Sequence, residues 1–396
     1  MILGTTDIPT ALDQPFNLPK RHTAIFGQSG TGKSTLLKNI VLSEIDRRGG
    51  VSLLDPHGDL TEQIIECLPR RRTQEVIVFD PSDEKPIGIN PLAFKAQTDL
   101  AVSDFVGSIN ATSQESWGPR LESILTHATY AVLESIPSPS VLDLPRFLAD
   151  RKLRQKLVPK FSEPVRQFFK LYDNEWPERY RVEATAAVMN KIEKFALKKA
   201  FRDVLGRERF LEFREVIDTR RILLCRLGKG QLGEDVSSLL GSFILSGLKF
   251  AALSRQDIPL EERIAHLIVV DEIQNFTVGM DFSTLLAESR KYGITLIVAC
   301  QTVDQLEFKT RAAVFGNCPN LISFRVSGED AERIEREFAG QVSAERLTSL
   351  PNFECYAKVA ENPGVLHVFP FEALRFYGPR ARREKVLNHS RDRYAA

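Results

Sequence analysis

The hydrophobic positions of the chain follow two different periods. A short apolar run at 22–26 is followed by a segment whose apolar positions recur every three or four residues up to Ile45, the spacing of a buried helical face. Further apolar runs at 51–54 and 75–79 predict two more strands. Strands that alternate with helices indicate a parallel sheet covered by helices on both faces.

The same alternation returns in the last part of the chain. Two final apolar runs, 353–359 and 365–369, predict a closing hairpin. We assign residues 1–97 and 217–396 to one α/β domain with a mostly parallel central sheet. The other elements predicted in its second part are strands at 221–227, 266–270, 294–299 and 320–326 and helices at 234–253 and 281–291.

Residues 98–216 have a different pattern. Leu121, Leu125, Ala128 and Val132 form one helical stripe, and six prolines divide the segment into several short helices. We therefore predict an inserted all-helical domain over 98–216.

Composition adds a charge asymmetry. The chain has 396 residues, of which 43% are hydrophobic and 27% charged, values that exclude wholesale disorder. Its net charge is +1, but residues 151–221 hold 19 Lys/Arg against 11 Asp/Glu, which leaves −7 for the remainder. This asymmetry indicates an anionic partner for the helical region, although an ordinary solvated surface fits nearly as well.

Cysteine usage and hydropathy bear on the compartment. Five scattered cysteines without a CxxC pair disfavour a zinc site or a disulfide framework and favour reducing conditions. The N-terminus has no leader pattern, and no run of 18 uncharged apolar residues occurs. We expect a cytoplasmic protein without a transmembrane segment, so that any contact with the inner membrane is peripheral.

A phosphate-binding motif follows the first predicted strand. The stretch 27–34 reads GxxxxGKS and opens a predicted helix, so that backbone amides and the helix N-terminus can face phosphate. We expect Lys33 to reach the β- and γ-phosphates of ATP and the Ser34 hydroxyl to ligate Mg²⁺. The residues expected to bind ATP are Gly27, Gln28, Ser29, Gly30, Thr31, Gly32, Lys33, Ser34 and Thr35.

Two acids end the strand predicted at 266–270. Asp271 and Glu272 would lie at the carboxyl edge of the sheet, where ligands bind in open α/β folds. Asp271 would hold Mg²⁺, and Glu272 would activate the attacking water as general base. A solvated acidic turn is the alternative interpretation.

Four further residues have open alternatives. Gln301 comes near the γ-phosphate if the strand before it lies beside the strand of Asp271; otherwise it is an exposed loop residue. Arg290 is either a cation at a helix C-terminus or an arginine finger that reaches a neighbouring subunit. Asp55 and Asp59 either face the γ-phosphate or line a channel, or they form a turn that caps the next helix. The run Arg70-Arg71-Arg72 indicates a solvated cluster.

Taken together, the chain resembles the FtsK/HerA superfamily of P-loop DNA pumps, and within it the conjugative coupling ATPases of type IV secretion systems. The order of the motifs is the most specific part of this resemblance, since a helical insertion precedes the acidic strand. The stretches that carry it are Gly27–Ser34, Leu54–Leu60, Gly88–Leu92, Trp117–Leu121, Val270–Gln274, Ala287–Gly293 and Cys300-Gln301.

The resemblance implies a RecA-like fold, a hexameric ring and ATP-driven movement of duplex DNA. It also implies the finger role for Arg290 and a sensor role for Gln301. The chain departs from membrane-anchored members in lacking spanning helices, and from HerA-type repair proteins because about twenty residues before the motif are too few for a β-barrel. We therefore expect a soluble coupling-type motor, or a packaging motor of a mobile element or virus.

Two other functions fit the same motifs. One is a secretion ATPase that energises protein export, and the other is a nucleotide-gated scaffold that regulates a protein partner. A secretion-system or mobile-element partner is compatible with each, and the sequence does not fix the cargo or the direction of movement.

Overall fold

The computed structural model describes residues 21–94, 97–112, 117–277, 279–360, 364–368 and 381–395, and the statements below concern these residues. Their strands form one nine-stranded sheet. The strands are β1 (Thr23–Phe26), β2 (Gly50–Asp55), β3 (Val76–Phe79), β4 (Ile222–Arg226), β5 (His266–Val270), β6 (Ile294–Cys300), β7 (Asn320–Ser323), β8 (Cys355–Lys358) and β9 (Val365–Val368).

The strand order is β3-β4-β2-β5-β6-β1-β7-β8-β9. The first seven strands in this order are parallel, and β8 and β9 form an antiparallel hairpin at one end. The mostly parallel sheet and the closing hairpin confirm the predictions from the apolar runs. The strand predicted at 320–326 stops at Ser323, because Phe324 packs against Gly27 and the Arg325 carbonyl accepts a hydrogen bond from Gln28 N–H.

Helices cover both faces of the sheet. The helix predicted at 281–291 is shorter than expected, since it ends at Glu288 and tightens into a 3₁₀ turn over Ser289–Tyr292. The helices are α1 (Lys33–Asp46), α2 (Asp59–Cys67), α3 (Thr98–Ala111), α4 (Pro119–Ser135), α5 (Asp143–Ala149), α6 (Arg151–Leu157), α7 (Glu163–Asn174), α8 (Glu178–Ala196), α9 (Lys199–Leu205), α10 (Phe213–Asp218), α11 (Lys229–Leu232), α12 (Glu234–Leu253), α13 (Phe282–Glu288), α14 (Phe308–Asn317), α15 (Gly328–Glu337), α16 (Ala344–Thr348) and α17 (Arg383–Tyr394).

In the described part of the chain, the regular elements between β3 and β4 are all helical. This helical region is joined to the sheet-covering helix α12 by a buried ion pair between Asp104 and Lys249, with 2.5 Å between Oδ2 and Nζ. Phe105 stacks on Phe243 across the same contact, at 5.8 Å between ring centroids. The division into an α/β domain and a helical domain over 98–216 stays a prediction.

Helix α12 is strongly apolar. By length and composition alone, the segment Glu234–Asp257 could cross a membrane, but 89% of its apolar window is buried inside the fold. Its hydrophobicity is therefore accounted for by packing in the core.

The last described segment, 381–395, contains helix α17, which is rich in basic residues. Helix α17 covers the outer edge of β3, where the Val78 N–H donates to the Ser390 hydroxyl at 2.8 Å. Arg383 and Arg391 pair with Glu62 and Asp83 at 2.8 Å each. The helix therefore protects an edge strand from pairing with other chains.

One expectation about the arginine run is wrong. Arg72 is 1% exposed, and its guanidinium donates to the carbonyls of Ile45, Gly49 and Arg220. It satisfies backbone groups where α1 ends and β4 approaches, so it is a buried structural residue rather than part of a solvated cluster.

Candidate nucleotide-binding site

The strand register brings the candidate residues to one edge of the sheet. Val270 of β5 is level with Val298 of β6, and Cys300 of β6 is level with Phe26 of β1. Since all three strands are parallel, the residues that follow them emerge side by side. The structure thus places β6 beside β5, the arrangement on which the expected position of Gln301 depended.

The loop after β1 has the backbone of a phosphate cradle. Gly30 and Gly32 have φ values of +75° and +119°, in the region that favours glycine. Gly27 is required for a different reason, because a Cβ there would lie 2.6 Å from Cβ of Phe324. The Thr31 hydroxyl closes the turn by donating to the Gln28 carbonyl at 2.8 Å.

The exposed face of this loop is open to a ligand. Gln28, Ser29, Gly30 and Ser34 are exposed, and Thr35 is half-buried. Helix α1 begins at Lys33, so its free N-terminal amides lie directly after the cradle.

The Lys33 amine links the loop to the acidic pair. The side chain is buried, and Nζ donates to the carbonyls of Gly27 and Gln28. Desolvation lowers the pKa of Lys33, while the charges of Glu272 and Asp271 raise it. The two carboxylates are therefore close enough to act on the amine electrostatically.

Asp271 and Glu272 are both 5% exposed, so they do not form a solvated turn. Burial, together with the negative charges of Glu272 and Asp55, raises the pKa of Asp271 to about 7, against the opposing charge of Lys33. This excess of buried negative charge fits a divalent cation with oxygen ligands, and the exposed Ser34 hydroxyl offers a further oxygen donor.

Glu272 is held by Gln274, a residue without an assigned role in the sequence analysis. Its backbone is left-handed, with φ of +48°, and Gln274 Nε2 donates to Glu272 Oε2 at 2.7 Å. The same Nε2 donates to Gln305 Oε1 at 3.1 Å, and Cys300 Sγ donates to Gln274 Oε1 at 3.3 Å. In the sequence, Gln274 is marked by its position two residues after Glu272 and by the stretch Val270–Gln274, which carries part of the family resemblance.

Gln301 lies directly beside the phosphate loop. The Gly27 N–H donates to the carbonyl of Cys300 at 3.3 Å, and Gln301 is the next residue, half-buried at the mouth of the loop. Its amide is therefore on the same edge as Lys33 and the acidic pair.

Arg290 lies at the opposite end of the strands, where β6 begins. It is exposed in the turn before β6, which Gly293 ends with φ of +77°. Burial and, secondly, the charge of Arg290 lower the pKa of His22, the residue before β1, to about 4. The seven residues of β6 separate this turn from Gln301 by roughly 20 Å.

Asp55, the last residue of β2, holds the turn that leads into α2. Asp55 accepts hydrogen bonds from the backbone amides of His57, Gly58 and Thr61 at 2.8–3.0 Å. Asp59 is exposed in the first turn of α2. Asp55 therefore forms the turn before α2, and it also lies near enough to Asp271 for its charge to raise the pKa of that carboxyl.

Comparison with known protein families gives two matches. Residues 1–223 match the family described as the central domain of the helicase HerA, and residues 266–349 match the TraM recognition site of TraD and TraG. No curated protein is significantly similar to the chain in sequence.

Several solved structures share the fold. The unbound bacterial conjugative coupling protein TrwBdeltaN70 has a TM-score of 0.67 and 16% identity over 93% of this chain and 90% of its own. TrwB in complex with ADP and Mg²⁺ has a TM-score of 0.66 and 17% identity over 92% and 88%. VirB4 of Thermoanaerobacter pseudethanolicus has a TM-score of 0.65 and 16% identity over 94% and 96%. The RecA-like P-loop fold predicted from the sequence is thereby confirmed.

Proposed function

Because the chain belongs to the family of the HerA helicase central domain, we propose that it is a Mg²⁺-dependent ATPase that moves duplex DNA through a ring of identical subunits. The observation that carries the proposal is the convergence of Lys33, Asp271 and Glu272 at one edge of the sheet, within electrostatic reach of one another.

Each residue at this edge has a role that its position supports. The amides of the loop and Lys33 hold the phosphates, and Ser34 and Asp271 hold Mg²⁺, which neutralises phosphate charge. Glu272 orients the attacking water and accepts its proton. Gln301 contacts the γ-phosphate and responds to its loss.

Arg290 acts on a neighbouring subunit in this proposal. It is exposed and about one strand length, roughly 20 Å, from the nucleotide end of its own sheet, so its guanidinium is available to complete the site of another copy. A head-to-tail contact of this kind closes into a ring when the rotation between copies permits.

The choice of DNA as cargo has separate support. The similar structures include a coupling protein for conjugation, and the family is that of a helicase. On the helical region, Lys152, Lys156, Lys170 and Arg179 are exposed and suited to phosphate contacts. Other basic residues there are already paired, such as Arg154, whose Nη2 lies 2.6 Å from Oδ1 of Asp173.

The match of residues 266–349 to the TraM recognition site supports a partner of the secretion-system type. The proposed function therefore includes a partner of this type and a peripheral position at the membrane.

The test measures ATP hydrolysis with and without duplex DNA across a salt series. We expect duplex DNA to stimulate hydrolysis, with an affinity that falls steeply as salt rises because phosphate contacts release counterions. A variant with Lys152, Lys156 and Lys170 changed to Gln should have a shallower salt dependence, while Lys309→Gln, exposed on α14, serves as control. If DNA neither binds to the chain nor stimulates its ATP hydrolysis, the result would favour a motor for protein export. A chain that binds ATP without hydrolysing it would favour a regulatory scaffold.

A further inference from the structure

Phe353 has a backbone conformation that is costly for its residue type. Its φ is +68°, and its side chain is 42% exposed. Among the described residues, five non-glycine residues have positive φ, and one of them is Glu272, the candidate catalytic base. Glycine would adopt this conformation at lower free energy, and residues held in it cluster at functional sites. Burial of apolar surface offsets little of this backbone strain, because Phe353 is 42% exposed.

The Phe353 backbone is built onto the phosphate loop. Its N–H donates to the Thr31 carbonyl at 2.7 Å, and a Cβ on Gly32 would lie 3.1 Å from both Cα and Cδ1 of Phe353. The ring therefore lies against the last glycine of the cradle, directly before Lys33.

Arg325 holds both the segment before Phe353 and the start of the phosphate loop. Arg325 donates to the Leu350 carbonyl at 3.1 Å and to Asn352 Oδ1 at 2.9 Å, while its own carbonyl accepts from Gln28 N–H at 2.8 Å. The segment that ends in Phe353 and the start of the phosphate loop are thus held to the same residue.

The order of strands determines which part of a nucleotide would meet the ring. The terminal phosphate must face β5 and β6, which carry Asp271, Glu272 and Gln301. The other end of a triphosphate held in the loop then leaves on the opposite side of β1, towards β7 and β8. Phe353 precedes β8, which runs antiparallel to β7, so it lies at the same edge as the loop.

We infer that the Phe353 ring is the stacking platform for the base of the bound nucleotide. The inference rests on the proposed function, in that the loop binds a nucleoside triphosphate. Stacking of a base on an aromatic ring is tolerant of base identity, so ATP and GTP are both accepted. Loss of the ring reduces their affinity by about 30-fold, the middle of the range for one stacked base.

Calorimetric titration of the full chain with ATP, GTP and inorganic tripolyphosphate, each with Mg²⁺, tests the inference. Phe353→Gly suits the left-handed backbone, so this variant removes the ring without adding strain. We expect an affinity about 30-fold weaker for both nucleotides and an unchanged affinity for tripolyphosphate. Phe353→Trp should restore nucleotide affinity. Phe308→Ala, which removes a ring that is 75% exposed on α14, should change none of the three affinities.

Two results would overturn the inference. One is wild-type affinity for ATP in Phe353→Gly, and the other is an equal loss for tripolyphosphate, which would show that the residue only supports the loop. If the wild-type chain bound neither ATP nor tripolyphosphate, the proposed function itself would fall, and the inference with it.

Discussion

Lys33 and Arg290 lie at opposite ends of the parallel strands of the sheet. Lys33 begins α1 at the carboxyl edge, whereas Arg290 is in the turn that precedes β6, near His22 and the start of β1. The seven residues of β6 separate the two ends by roughly 20 Å, which is beyond the reach of an arginine side chain. Within one chain, Arg290 therefore cannot stabilise charge on a nucleotide held by Lys33.

Replacement of the candidate base should separate binding from hydrolysis. In Glu272→Gln the volume is kept and proton acceptance is lost, so we expect ATP affinity near wild type and a kcat reduced by at least about 100-fold. Calorimetry and a phosphate-release assay measure the two quantities. Glu288→Gln, which removes a half-exposed carboxylate paired with Lys291, is the control. Near-normal hydrolysis in Glu272→Gln would remove Glu272 from its role.

Gln274 should affect the rate of hydrolysis more than nucleotide binding. Gln274→Met keeps the side-chain length but removes the hydrogen bond that orients the Glu272 carboxylate and the link to Gln305. We expect kcat to fall by about tenfold, the value of roughly one such hydrogen bond, with ATP affinity unchanged. Gln231→Met, at an exposed position, should have wild-type kinetics. A raised kcat would show that Gln274 restrains Glu272 instead of positioning it.

A buried histidine should make stability depend on pH. Burial and, secondly, the charge of Arg255 lower the pKa of His266 from 6.5 to about 3. The unfolded chain therefore binds a proton between these values while the folded chain does not, so stability is full above about pH 6.5 and is lost as the pH falls. The contribution is about 1.4 kcal/mol per pH unit.

His266→Gln removes this titration and can still hydrogen-bond to Ser52. Between pH 6.5 and 4.5 we expect its free energy of unfolding, from urea denaturation, to fall less steeply than that of the wild type. His57→Gln, which removes an exposed histidine, should keep the wild-type slope. Parallel slopes for all three chains would contradict the pKa shift.

Adjacent arginines should differ sharply in their contribution to stability. Arg72→Met removes the guanidinium donor from the carbonyls of Gly49 and Arg220 and one of two donors from the carbonyl of Ile45, so the free energy of unfolding should fall by about 3 kcal/mol. Arg71→Met removes a half-exposed pair with Asp46 and should cost less than about 1 kcal/mol. Chemical denaturation of both variants measures this. A similar small loss in both would mean that water replaces the Arg72 donors.

Local patterns predicted the features that depend on local sequence. The apolar runs located β2, β5 and β6 to within one residue, and the glycine motif located the loop after β1, because strand burial and φ preferences act over a few residues. The sequence does not predict that β5 and β6 are adjacent, because the order and register of strands depend on the whole sheet. The expected position of Gln301 is therefore conditional on that adjacency.

The features that the sequence missed depend on tertiary contacts. Arg72 is buried because α1 and β4 converge on it, although its neighbours Arg70 and Arg71 are exposed. Gln274 and Phe353 gain their positions from Gln305 and Thr31, which are 31 and 322 residues away in sequence. No periodicity or motif reports contacts of this kind.

A mixed-subunit experiment tests the central claim, that each site is completed by a neighbouring copy. Arg290→Ala subunits keep Glu272, and Glu272→Gln subunits keep Arg290, so each variant alone should be nearly inactive. In randomly mixed rings about a quarter of the interfaces combine the two intact residues. We therefore predict that mixing restores a measurable part of wild-type ATP hydrolysis, up to about that fraction. No recovery in rings shown by mass to contain both subunits would contradict the account.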